Sequence, residues 1–369
     1  MSLAVTTEQD ELRATVRRFL RDRVPLTRVR ELMSTPAVFD RAVWESLAGL
    51  GVQGLAIPEE HGGAGFGVQE LAHVFEECGR ALLPSPLLAT TGLAVPALLA
   101  SGDEAAQSRW LSSVASGRTV ATLAWLAPGA GWDSAGTSLS VTNSDAGWRL
   151  SGSASLVLDG TVADLVLVVA GTGPATTVVA VDDLAGVTRT ALPTLDQTRP
   201  LARLEFHDTP CTPVGAVGDG TRLLDAALDV ANVLLAAEMV GGAQACLDMA
   251  VGYAKVREQF GGPIGRFQAV KHKCAEILVE LEGARAAAHY AAWAAEESHE
   301  ELPVVATLAK ASAAEAYFRA AGDNVQIHGG IGFTWEHDAH LYFKRAKASL
   351  MLFGDVGAYR RQLADRIGL

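Results

Sequence analysis

The sequence predicts an α+β protein in which helical segments flank an all-β middle. Three observations carry this reading. Helical periodicity runs through the first hundred residues; short apolar or alternating pieces separated by Gly, Asp and Pro replace it between Thr119 and about Asp208; long helical runs return from about Thr221 to the end. The boundaries read as a helical domain over 1–118, a β domain over 119–218 and a C-terminal four-helix bundle over 219–369.

The elements follow in order. From Thr7 to Arg23, Leu12, Val16, Phe19 and Leu20 share one face, and Glu8, Asp10 and Glu11 occupy the first turn, where the helix dipole favours acids. A second helix is expected over Arg41–Leu50. The stretch from Gly54 to Gly65 is too rich in glycine for a helix interior. Periodicity resumes over Gln69–Leu83 and, beyond Pro84 and Pro86, over Leu88–Leu99. The strand candidates are Val120–Trp125, Trp148–Leu150, Leu165–Val169, Thr177–Val181 and Ala202–Phe206, with Asp159-Gly160 read as a hairpin turn. Helical runs over 222–257, 267–298, 302–328 and 338–349 close the chain, and their alanine content suits close axis packing.

Composition narrows the function classes. A net charge of −12, with no lysine or arginine tract, argues against nucleic acid or an anionic membrane surface as the main partner. Cys78, Cys211, Cys246 and Cys274 are far apart and lack metal or dithiol spacing, so they read as reduced core thiols and no metal is expected. Without a leader pattern or an apolar run of about 20 residues, a cytoplasmic location is expected.

The stretch with the most chemistry lies where the first long C-terminal helix ends: Val256-Arg257-Glu258-Gln259-Phe260-Gly261-Gly262-Pro263-Ile264-Gly265-Arg266-Phe267-Gln268. A cation and aromatic groups beside a tight turn suit an extended anionic molecule held by its end. A second glycine cluster follows the third long helix, Gln326-Ile327-His328-Gly329-Gly330-Ile331-Gly332-Phe333.

Together these two motifs resemble the acyl-CoA dehydrogenase family pattern, Arg-x-x-Phe-Gly followed by a downstream Gln-x-x-Gly-Gly-x-Gly-(Phe/Tyr). The loop Pro58-Glu59-Glu60-His61-Gly62-Gly63-Ala64-Gly65, and Gly131 with Asp133, add to the resemblance, which covers nearly the whole chain. It implies FAD, α,β-dehydrogenation of an acyl-CoA thioester, electron-transfer flavoprotein as acceptor, and an oligomer whose flavin sites span subunits. A carboxylate takes the α proton, hydrogen bonds stabilise the enolate-like oxygen, and the flavin supplies the redox chemistry. The resemblance assigns Arg257 and Phe260 to the diphosphate and adenosine end of a neighbour's FAD, with Gln268, Gln326, Gly329 and Gly330 at the same end. A diphosphate needs charge-assisted donors, and glycines let backbone N–H groups approach it. His328 reads equally as a ligand contact or as a turn histidine satisfied within the turn.

Departures from the family pattern are concentrated. Laid down without gaps, the position of the usual catalytic Glu is Phe353, and the alternative position on the first C-terminal helix is Ala231. Neither can accept a proton. Glu238 lies seven residues after Ala231, on the same helix face and roughly 10 Å along it. It interrupts the apolar run from Val233 to Val240, so it is either a candidate base or a structural carboxylate paired with a neighbouring helix; Asp355 ranks below it. In the β domain, Leu126 and Trp132 stand where the family carries hydroxyls, and Leu156-Val157-Leu158-Asp159 replaces a flavin-facing segment. Trp125 and Trp132 read as core aromatics more readily than as cofactor stackers. Motifs serving a neighbour's FAD are kept, whereas those serving the chain's own flavin ring and substrate proton are degraded. The expectation is therefore either a homo-oligomer or a heterotetramer with a related, base-bearing subunit. The resemblance associates such mixed assemblies with bulky thioesters such as sterol side chains, with a straight fatty chain or a carrier-bound acyl group as the alternatives.

Overall fold

Helix α1 (Thr7–Arg23) begins at a capping box: the Gln9 N–H donates to the Thr6 hydroxyl, and the Thr6 N–H donates to the Gln9 side chain. In the computed structural model, which describes residues 5–132, 138–145 and 147–369, α2 (Leu26–Leu32), α3 (Arg41–Gly49), α4 (Val68–Arg80), α5 (Val95–Ala100) and α6 (Glu104–Ala115) follow. A π-helical turn, Leu88–Ala94, leads into α5. The glycine-rich segment is a tight loop with two 3-10 turns. Gly63 sits against Ile57 so closely that an added Cβ would lie 2.0 Å from the Ile57 carbonyl oxygen.

The β region is one eight-stranded sheet: β1 (Ala121–Ala124), β2 (Ser140–Ser144), β3 (Gly147–Leu158), β4 (Leu165–Thr172), β5 (Ala175–Val181), β6 (Thr188–Leu192), β7 (Leu201–Pro210) and β8 (Thr212–Val214). Its order is β6-β7-β3-β2-β4-β5-β8, with β1 added in parallel beside β4. Alternate residues of β4, β5 and β7, among them Val166, Val168, Val179, Val181, Leu204 and Phe206, fill the core on one face. The reading of Asp159-Gly160 as a hairpin turn needs correction. Strand β3 pairs with β2 and β7, whereas β4 pairs with β1, β5 and one residue of β2, so this turn closes no hairpin. Asp159 is buried with φ +52 and gives its N–H to the Pro200 carbonyl, which ties the turn to the segment leading into β7.

The C-terminal part consists of α7 (Gly220–Val256), a small ribbon of β9 (Glu258–Gln259) and β10 (Gly262–Pro263), then α8 (Gln268–Glu297), α9 (Leu302–His328), α10 (Ala339–Met351) and α11 (Val356–Arg366). Four long helices are thus followed by a fifth, shorter one. Buried alanines at helical spacing line the facing sides of α8 (Ala284, Ala288, Ala291, Ala295) and α9 (Ala306, Ala309, Ala313, Ala316, Ala320).

Packing divides the chain into two compact units. One holds the residues through Glu31, Val68–Leu83 and Asn232–Leu369; the other holds Leu32–Gly67 and Pro84–Ala231. The N-terminal helices are accordingly shared out: α1 and α4 belong with the C-terminal helices, α3, α5 and α6 with the sheet. No helix among the described residues is long and apolar enough to cross a membrane.

Within the first unit, α4 and α7 touch backbone to backbone. A Cβ on Gly79 would lie 1.8 Å from the Glu238 carbonyl oxygen, and one on Gly241 would lie 1.8 Å from that of Glu76. Both lie inside helices, so only glycine permits this crossing. Gly241→Ala forces the helices apart, and a loss of about 2–3 kcal/mol is expected from overpacking, read as a lower urea midpoint with an unchanged slope.

Candidate functional site

The conspicuous stretch at the end of α7 forms a two-residue hairpin. Gln259 pairs with Gly262 and Glu258 with Pro263, and the turn residues Phe260 and Gly261 have φ of +53 and +84, the signs of a type I′ turn. Glycine suits this geometry, but an aromatic residue at positive φ is strained. The Arg266 guanidinium holds it there by donating to the Phe260 carbonyl and, at 3.4 Å, to that of Gly261. The Phe260 side chain is 86% exposed, with the Phe267 ring edge-on 6.0 Å away. Arg257 is exposed, and its guanidinium has no hydrogen-bond or ion-pair partner among the described residues. Gln268, also exposed, lies at the first position of α8 with its amide 3.3 Å from His272 Nε2.

The second glycine cluster begins where α9 ends. Gly329 has φ +65, both Gly329 and Gly330 are exposed, and nothing lies within 4 Å of a Cβ added to either. Gln326 is exposed just before them. The turn then curls back, since a Cβ on Gly332 would lie 2.8 Å from that of His328. His328 is buried; its Nδ1 lies 2.8 Å from the Asn324 carbonyl and must donate to it. Burial, together with His337, lowers the His328 pKa. Its ring stacks on Tyr253 at 4.3 Å and lies 4.2 Å from His337. A small core of Ala250, Ala254 and Ile327, with Tyr253, Ile264, Val270 and Cys274 against it, completes the contact. The structure therefore brings both motifs to one end of the helical unit. Tyr253 and His337, which make that junction, were not singled out from the sequence; the only signal was an aromatic four residues before Arg257.

The candidate acids are placed otherwise. Glu238, on α7, is 5% exposed and accepts from Arg345 of α10 at 2.5 Å. Ala231 is fully buried. Phe353 is buried with φ +62, and the Tyr359 hydroxyl donates to its carbonyl at 3.2 Å and to Asn232 Oδ1 at 2.7 Å. Just upstream, the buried Lys310 ammonium donates to the Ser349 carbonyl at the end of α10. The Asp355 carboxylate accepts from the Ala358 N–H at 2.7 Å, which makes it the N-cap of α11.

One further cluster has metal-like spacing among the described residues: ligand atoms of His73, Glu76 and His289 lie within 4.8 Å of one another. Arg285 and Arg13 also bind the Glu76 carboxylate, so its charge is already neutralised and a cation there would face two guanidinium groups. Burial alone would raise the Glu76 pKa, but His289, Arg285 and Arg13 outweigh it and hold the group at about 2. Burial, with His289 and Arg13, takes His73 down to about 4. Both groups bind protons more readily unfolded than folded, so both contributions are lost on acidification. Stability is expected to fall first between pH 6.5 and about 4 through His73, and again between 4.5 and about 2 through Glu76. A His73→Phe variant, followed by thermal melts across this range, should flatten the first step.

In the other unit, the two segments that depart from the family pattern meet. The Ser155 N–H donates to the Leu126 carbonyl at 2.8 Å, Leu156 has φ +54 at a bulge of β3, and the Trp125 and Trp132 rings lie 5.7 Å apart. Leu126 is buried, and the Thr122 hydroxyl donates to the Leu158 carbonyl at 2.7 Å. Asp133 lies outside the described residues.

Residues 6–118 match the acyl-CoA dehydrogenase N-terminal domain and residues 218–368 the acyl-CoA dehydrogenase C-terminal domain. Acyl-CoA dehydrogenase IpdE2 of Mycobacterium tuberculosis is 36% identical over 362 residues, covering 98% of this chain and 97% of its own length. Among solved structures, the Tcur3481-Tcur3483 steroid ACAD superposes with a TM-score of 0.89 at 32% identity, covering 98% of each chain. The ChsE4-ChsE5 complex from Mycobacterium tuberculosis does so at 0.89 and 31%, covering 100% of this chain and 99% of that one. The order of helices, sheet and helices agrees with these likenesses, and the chain belongs to the acyl-CoA dehydrogenase family of oxidoreductases.

Proposed function

We propose that the chain takes part in FAD-dependent α,β-desaturation of an acyl-CoA thioester as the base-lacking subunit of a mixed assembly. In this reading it completes the FAD site of a related subunit that carries the catalytic carboxylate. One observation carries it: the end of the helical unit that would serve a neighbour's cofactor is open and equipped, while the position of the family's base is a buried Phe353.

The residues at that end fit FAD. Arg257 has a guanidinium with no partner among the described residues, ready to make charge-assisted bonds to a diphosphate. Gly329 and Gly330 leave open space for phosphate oxygens to approach backbone N–H groups. Phe260 presents an exposed ring suited to the adenosine, with Gln268 and Gln326 as neutral donors. When bound, FAD accepts the hydride that leaves the substrate's β carbon. The chain's own part is to bind and orient that cofactor, and electron-transfer flavoprotein is the proposed acceptor.

A second reading is a self-sufficient homo-oligomer with Glu238 as base. The Arg345 pair at 2.5 Å weighs against it, because a base must be within reach of substrate while a carboxylate fixed in a buried ion pair has its charge already engaged. The mixed assembly is further supported by the two-component names of the similar Tcur3481-Tcur3483 and ChsE4-ChsE5 structures. The former's description as a steroid ACAD favours a bulky steroid side chain as the acyl group. The test is turnover of such a thioester by the chain alone and after co-expression with a base-bearing relative. Activity is expected only in the second case, and full activity from the chain alone would overturn the reading.

A further inference from the structure

We propose that His328 is the positioning residue that sets the Gly329–Gly330 turn and the Arg257 hairpin in one frame. The inference rests on the reading above for what the two elements hold, but not for how they are joined. The hairpin hangs from Tyr253, whose carbonyl accepts the Arg257 N–H at 2.8 Å. The same residue's ring stacks on His328 at 4.3 Å with an interplanar angle of 28°. His328 is in turn the last residue of α9 and the first support of the glycine turn. One aromatic contact, between residues 75 positions apart, therefore links the two elements.

His328 has little freedom left. The His337 ring lies tilted 4.2 Å from it, its Nδ1–H is committed to the Asn324 carbonyl, and Gly332 folds against its Cβ. His337 is itself held from outside the turn, since Arg30 donates to its carbonyl at 3.0 Å and binds Asp338 next to it. The imidazole thus sits in a clamp built from α7, the turn and the loop before α10. The glycines next to it and the Arg257 side chain, by contrast, have no such restraint. Rigid support beneath open ligand-facing groups is what placing a diphosphate between two elements requires.

The experiment uses the co-purified assembly and four variants: His328→Phe, which retains a ring for stacking, His328→Leu, which does not, Arg257→Ala, and His328→Leu combined with Arg257→Ala. Hydrogen–deuterium exchange of the 257–267 peptide reads the junction without any flavin. In His328→Leu this peptide is expected to exchange about tenfold faster, corresponding to loss of roughly one stacking contact, while His328→Phe stays close to wild type. FAD affinity, measured by fluorescence titration, should fall about tenfold in His328→Leu. Adding Arg257→Ala should then weaken binding by less than Arg257→Ala does in the wild type, because the guanidinium is already misplaced. Unchanged exchange at 257–267 in His328→Leu would overturn the proposal, as would full additivity of the two substitutions. If Arg257→Ala alone leaves FAD binding untouched, the cofactor reading fails, and the exchange result still decides the positioning role.

Discussion

Glu238→Gln is expected to remove ~3–5 kcal/mol of stability, because it takes away the carboxylate charge that balances the buried Arg345 guanidinium. Turnover of the assembled enzyme, normalised to folded protein, should nevertheless stay within about threefold, far from the 10²–10⁴-fold that general-base removal costs. The two side chains are only 7% and 3% exposed, so solvent cannot replace the lost interaction. Urea unfolding and steady-state kinetics on the same preparation separate the two effects. A Glu238→Gln protein of normal stability that has lost activity a hundredfold would identify Glu238 as the base. The double replacement of Glu238 and Arg345 by apolar residues of similar volume should recover much of the stability, since burying a charge pair costs desolvation on both sides.

Arg257→Ala should have the opposite profile. The guanidinium has no partner among the described residues, so its removal is expected to leave the melting curve of the flavin-free protein unchanged. The assembly should lose about 10–150-fold in FAD affinity, the equivalent of ~1.5–3 kcal/mol for a charged hydrogen bond. Arg257→Lys should recover only part of this, because an ammonium lacks the planar fork that grips two phosphate oxygens. Fluorescence titration of the deflavinated assembly measures it. An affinity unchanged by Arg257→Ala would separate this residue from the cofactor altogether.

Long periodic segments were legible in the sequence almost to the residue. The expected helix from Thr7 to Arg23 is α1, and the runs at 222–257, 267–298 and 302–328 are α7, α8 and α9 within two residues at each end. Among the elements that escaped, α6 (Glu104–Ala115) has five buried residues and was still not read, and two others are short and exposed. Strand β6 is exposed over Thr188–Ala191 and half-buried at Leu192, leaving little apolar alternation to read. Helix α11 has Tyr359 as its one fully buried residue and depends on the Asp355 cap. Asp159-Gly160 has hairpin composition, but strand order is a property of the whole sheet, and a two-residue motif does not encode it.

The site divides along the same line. A tight turn between helices was readable from Gly261, Gly262 and Pro263, whereas the positive φ of Phe260 was not, because it depends on the grip of Arg266. The apolar surroundings of Glu238 announced a buried acid, but its partner Arg345 lies 107 positions away and only the packing of α7 on α10 brings them together. His328 stood open between two roles until its stack with Tyr253 and His337 became visible.

The flavin-to-chain ratio of the purified assembly tests most directly whether this chain holds a cofactor that it does not itself use. Co-expressed with a base-bearing relative and separated by size exclusion, the complex is expected to carry one FAD for every two chains, and this chain purified alone should be colourless and inactive. One FAD per chain in a fully active homo-oligomer would contradict it.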